Sequence, residues 1–201
     1  MKRSGLHRKL DYSDYSAMPD DGKRYELLEG ALYVTPAPGT DHQHGSKRLF
    51  RQMEAYFETG SIGEVFYAPI DVILGPHDVV QPDLIVVGRA EQVSQRGIEG
   101  APLVVVEILS PSTADHDRER KASRYAHFGV EHYWIADPKL RTMECFRLED
   151  GRYVLVVRGQ GSESLSHPDW PGLTLDLARL CPQSLDARPA RKLFHDRRHV
   201  A

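Results

Sequence analysis

The chain has 201 residues, with 26 Lys plus Arg against 29 Asp plus Glu and a formal net charge of −3, so its overall charge does not draw it toward a polyanion. With 40% of its residues in the apolar set and 16 glycines, it lies above the range in which a polypeptide cannot bury enough surface to fold. A disordered chain is excluded, and the length suits one domain with modest extensions.

Residues 1–22 are polar, carry Tyr12 and Tyr15 as their sizeable apolar anchors, and end in the turn-rich run from Met18 to Gly22. We read them as a loosely attached arm. The basic start lacks the apolar stretch of a secretory signal, and no run reaches the roughly 18 apolar residues of a membrane span. Cys145 and Cys181 have no C-x-x-C partner, which suits a reducing compartment. A cytoplasmic protein with no membrane partner is expected.

From Tyr25 to Pro38 the pattern predicts a hairpin about Gly30. Thr40 or Asp41 then caps a helix through Phe57, with Leu49, Phe50, Met53, Tyr56 and Phe57 at helical spacing. Three extended segments follow, Glu64 to Leu74, Val79 to Val87 and Leu103 to Leu109, with a polar connection from Gly88 to Pro102 before the third. Ala114 to Phe128 reads as a charged helix held at its start by Ser112 or Thr113. His132 to Asp137 reads as a strand, and Thr142 to Arg158 as a hairpin around Glu149-Asp-Gly. Residues 23–182 form one expected domain and 183–201 a basic tail. Segments such as Leu103 to Leu109 are apolar on both faces and need cover on both, which predicts an α/β (α+β) fold: a mixed central sheet flanked by helices, with an N-terminal hairpin and a C-terminal strand hairpin.

A carboxylate inside an apolar strand requires compensation for its desolvation, and Glu107 and Asp83 both stand in such strands. If the two strands are antiparallel neighbours, the midpoint of positions 83 and 107 is 95, the centre of the connection from Gly88 to Pro102. That register sets the acids opposite each other, with Cβ atoms about 4.5–5.5 Å apart. Two like charges roughly 4 Å apart repel by about 4 kcal/mol at an effective dielectric near 20, so a positive group belongs between them. A hard divalent cation, Mg²⁺ or Mn²⁺, suits such a pair; the alternative is two acids at a sheet edge facing water. On the second helix, Asp117, Lys121, Tyr125 and Phe128 share one face. Lys121 either points inward to these acids or pairs with Asp117 at i, i+4 on a solvated face.

The ordered series YELLEG, His44 near a helix start, QPDLIVV, VVVEILSPST, then Asp117, Lys121 and Tyr125, and GVEHYWIADP resembles the Uma-type restriction endonuclease family of the PD-(D/E)XK nuclease superfamily. The resemblance runs from about Tyr25 to Leu180. It implies a restriction-endonuclease-like core: a helix, a three-stranded antiparallel meander, a second helix and a further strand. It also implies a metal-dependent endonuclease, a hydrolase acting on phosphodiesters, with nucleic acid as partner, DNA before RNA. Asp83 and Glu107 take the places of the metal-binding acids. The usual lysine two positions after the second acid is here Leu109, a departure, and Lys121 from the next helix stands as its spatial substitute. Glu26 is the candidate upstream acid, with Glu29 second, and His44 is placed to hold a phosphate or orient Glu26.

Because the chain is net acidic, a nucleic-acid groove must be local. Its basic candidates are Lys47, Arg48 and Arg51 on the first helix, Arg118, Arg120, Lys121 and Arg124 on the second, and the arginines and Lys192 of the tail. A homodimer would allow paired cuts, with the late hairpin as a candidate edge. The rival reading, supported by Leu109, is a catalytically weak or inactive nuclease-fold module that binds nucleic acid or a protein.

Overall fold

The computed structural model describes residues 8–109 and 117–180, so Ser112, Thr113 and the basic tail lie outside the described residues. Two six-stranded sheets form its body. The hairpin β1 (Arg24–Leu28) and β2 (Ala31–Thr35) turns on Glu29 and Gly30, both left-handed at φ 53° and 80°, the conformation of a two-residue hairpin turn that matches strand twist. α2 (Thr40–Phe57) follows the short α1 (Tyr12–Ser16) in chain order and begins after Gly39 with no side-chain cap, in place of the expected Thr40 or Asp41. Leu49, Met53 and Phe57 are wholly buried on its inner stripe, each worth about 1.5–3 kcal/mol of burial. A Cβ at Gly45 would lie 2.5 Å from Pro138 Cγ, so α2 can cross the turn at Pro138 this closely only with glycine there.

The three predicted extended segments divide between the sheets. β3 (Glu64–Tyr67), β6 (Leu84–Val87) and β9 (Val104–Ile108) form an antiparallel meander, whereas β4 (Val72–Gly75) and β5 (Asp78–Val80) pair within the other sheet. The switch between β5 and β6 occurs at Gln81-Pro82-Asp83, where Pro82 has no N–H to continue a ladder. The polar connection from Gly88 to Pro102 contains a 3-10 turn and two short strands, β7 (Val93–Ser94) and β8 (Gly97–Glu99).

A π-helical turn (Asp117–Lys121) leads into α3 (Ala122–Phe128), which ends at left-handed Gly129. β10 (His132–Asp137) then lies parallel to β9, and β11 (Thr142–Glu149) and β12 (Arg152–Gln160) complete the second sheet. β13 (Ser164–Ser166) and β14 (Thr174–Asp176) form a separate hairpin. One core packs α2, β13 and β14 against one face of this sheet, and a second core packs Tyr125 and Phe128 against the other. The mixed α+β architecture is the expected one.

Residues 8–22 are less loose than the sequence suggests. Leu10 N donates to Gly30 O at 3.0 Å, Tyr12 N to Pro76 O at 2.9 Å, and buried Tyr15 packs with Leu27 and Val79. No helix among the described residues is long and apolar enough to cross a membrane.

Candidate active site

The β6 and β9 register pairs Leu84 with Val106 and Ile85 with Val105, so one further step sets Asp83 beside Glu107. Ile108 N, the backbone donor just after Glu107, binds Asp83 Oδ2 at 2.8 Å. Both acids are nearly buried, Asp83 at 5% and Glu107 at 3% exposure, as is Glu26 at 2%. The proline break therefore places a carboxylate where the chain passes from one sheet to the other.

Lys121 joins two of these acids. Its Nζ lies 2.9 Å from Glu26 Oε1 and 3.0 Å from Glu107 Oε1. The inward reading of the helix face is thus the observed one, although the Asp117 side chain lies outside the described residues. One turn on, Tyr125 donates its hydroxyl to Glu107 Oε1 at 2.6 Å. Burial and the neighbouring carboxylates push the Tyr125 phenol well above its ordinary range, so it remains a donor at neutral pH. Glu26 also accepts from Gln81 N at 2.8 Å and lies 3.4 Å from the Thr35 hydroxyl. The residues on the two sides of Pro82 therefore take different partners: Gln81 N binds Glu26, and Asp83 accepts from Ile108 N.

Asp83 faces α2 instead. His42 Nε2 lies 3.1 Å from its Oδ2, and Arg24 Nη1 lies 3.7 Å from its Oδ1. His44 does not orient Glu26: it is exposed, two residues and roughly 200° farther round the helix. The choice was legible, because His42 lies three residues before buried Gly45 and seven before Leu49, on the stripe that continues to Met53 and Phe57. Arg24 had no such signal. Glu29 stands apart in its turn and pairs with Arg124 Nη1 at 3.1 Å. Arg124 also holds both oxygens of buried Asp78 at 2.8 Å, so its charge is committed to the fold and not to a groove. Leu109 packs at the edge of the second core, and its N–H binds Ala136 O at 2.8 Å.

Beside Asp83 opens a cavity of about 490 Å³ lined by Arg24, His42, Lys47, Arg51, Tyr67 and Pro69, among others. Three cationic side chains thus surround a space that reaches one buried carboxylate. The oxygen donors of Asp83 and Glu107 are chemically suited to a hard cation. The acids are nevertheless not drawn into one compact triad: among the described residues, the set of three such donors mutually within 4.8 Å lies elsewhere, at His132, His167 and Asp169.

A family model for Uma2, described as "Putative restriction endonuclease", matches residues 12–178. The chain belongs to the Uma2 family. Five solved chains match this Uma2 member, among them a crystal structure from Anabaena variabilis described as a "putative nuclease belonging to DUF820". That structure is 17% identical, with a TM-score of 0.69 over 85% of this chain and 97% of the other, a likeness that shows the fold. No curated protein matches significantly. Nucleases of the restriction-endonuclease type generally use divalent metals.

Proposed function

We propose that this Uma2 protein is a divalent-metal-dependent endonuclease that hydrolyses nucleic-acid phosphodiesters, with DNA preferred to RNA. The observation that carries this reading is the convergence of Glu26, Glu107 and Lys121, together with Asp83, whose carboxylate accepts from the residue after Glu107 and lines a cavity walled by Arg24, Lys47 and Arg51. Family membership supports the class of reaction.

In this reading Asp83 and Glu107 hold Mg²⁺ or Mn²⁺, which when bound would polarise a phosphoryl oxygen and acidify water. Arg24, Lys47 and Arg51 take flanking phosphates. Ile108 N and His42 fix the rotamer of Asp83, Tyr125 fixes that of Glu107, and Lys121 keeps the glutamates from repelling each other. Lys121 also supplies positive charge near the scissile phosphate, the task otherwise given to a lysine at position 109.

Incubation with plasmid, single-stranded DNA or RNA, in Mg²⁺, Mn²⁺ or EDTA, tests the proposal. Metal-dependent cleavage supports it, whereas tight binding without cleavage favours the inactive module. His42→Ala should lower cleavage by about tenfold through loss of Asp83 positioning, with His44→Ala near wild type; equal effects of the two would remove His42 from the site. Each of Lys47→Ala and Arg51→Ala should weaken DNA binding and lower the slope of log affinity against log salt by about 1, measured by fluorescence anisotropy. A homodimer would allow cuts in both strands, and edge strand β12, with Val154 and Leu155 exposed, is our candidate contact. Sedimentation would report it.

A further inference from the structure

A second cluster of chemical groups lies on the first-core face of the second sheet, across the sheet from Glu107. Along β10, Trp134 and Ala136 face the first core and Tyr133 and Ile135 the second, so strand alternation turns His132 toward the first. Along β9, Val106 and Ile108 face the first core, and Glu107 between them turns toward the second. His132 pairs with Val104 and Ile135 with Glu107, a further separation of about 10 Å along the ladder.

His132 and His167 are 2% and 3% exposed, and together with Asp169 each offers a ligand atom within 4.8 Å of the others. Buried polar atoms are almost always hydrogen-bonded. Here His132 Nδ1, His167 Nε2 and Asp169 Oδ2 have no hydrogen-bond partner among the described residues. His132 Nδ1 and Asp169 Oδ2 stand 4.0 Å apart, too far for a hydrogen bond and close to the spacing of about 3.4 Å between ligands on one tetrahedral ion with bonds of roughly 2.0–2.1 Å. Arg147 donates to the other carboxylate oxygen, Oδ1, at 2.5 Å and so holds Asp169 in place. Trp170 covers both imidazoles, with ring centroids 4.2 Å from His132 and 4.5 Å from His167.

We propose that His132, His167 and Asp169 bind a divalent transition-metal ion of the zinc type, which fastens the turn between β13 and β14 to the start of β10. Two imidazoles and one carboxylate suit such an ion better than magnesium, and water completes the shell. His167 Nδ1 accepts from Asp169 N–H at 3.2 Å, so coordination through Nε2 moves the ring proton to Nδ1 and exchanges that long hydrogen bond for a metal bond.

The site is independent of the nuclease reading and is tested apart from it. Zn²⁺ is titrated into the full chain carrying Asp83→Asn and Glu107→Gln, which removes the other proposed ion. One equivalent should bind and raise the melting temperature, with X-ray absorption at the zinc edge showing two imidazole nitrogens. Affinity should fall by about tenfold or more on further substitution of His167→Gln or Asp169→Asn. Asp169 is the more exposed of the two, so its variant remains informative if the histidine variant fails to fold. Failure of the parent to bind zinc, or undiminished binding by Asp169→Asn, overturns the proposal.

Discussion

Asp83→Asn should reduce metal-dependent cleavage by at least about 10²-fold while leaving DNA affinity in EDTA within about twofold. The substitution keeps an oxygen that can accept from Ile108 N and removes only the charge that would hold the cation. Arg24 retains its 2.5 Å bond to Gln81 O, so the wall of the basic cavity stays in place. Single-turnover cleavage with and without Mn²⁺, alongside anisotropy in EDTA, separates the two quantities. Full activity of Asp83→Asn would place the chemistry elsewhere. Cleavage and binding lost together would make Asp83 structural.

Lys121→Met should lower stability by about 3–5 kcal/mol, a fall in melting temperature of roughly 6–20 °C for a chain of this size. Methionine fills nearly the same volume, so the loss comes from charge: Glu26 and Glu107, at 2% and 3% exposure, share this ammonium at 2.9 and 3.0 Å. Glu107→Gln should cost less than about 1 kcal/mol, because it leaves Lys121 paired with Glu26 and lets Tyr125 keep an amide acceptor. The double variant should therefore recover part of the loss seen with Lys121→Met alone, a non-additivity measurable by thermal denaturation. Lys121→Met melting within about 2 °C of the parent would mean that the two carboxylates do not depend on the ammonium.

The legible parts of the site were those written as local conflicts. Asp83 and Glu107 are charges inside apolar strands, and the centre of the loop between them sets their register, which the pairing of Leu84 with Val106 continues. Lys121 was legible through Tyr125, four residues on, because a wholly buried aromatic fixes the inward face of its helix. His42 was legible but passed over: the spacing through Leu49 and Met53 selects it above His44. Arg24 and Gln81 gave no signal. Each is an ordinary polar residue until the first sheet packs beside the meander and brings β1 against the proline break. Arg124 carried a misleading one, since a basic helix face looks the same whether it meets phosphate or, as here, buried Asp78.

By itself the amino-acid order determined the long helix, the β6 and β9 register, and the buried charges Asp83, Glu107 and Lys121 as local conflicts, because alternation, helical period and the cost of a buried charge act within a strand, a helix or one strand pair. Tertiary structure decided how the extended segments divide between two sheets, which histidine reaches Asp83, and the meeting of His132 with His167 and Asp169. Those outcomes depend on the packing of segments about 17 to 50 residues apart, and local periodicity carries no term for such distances.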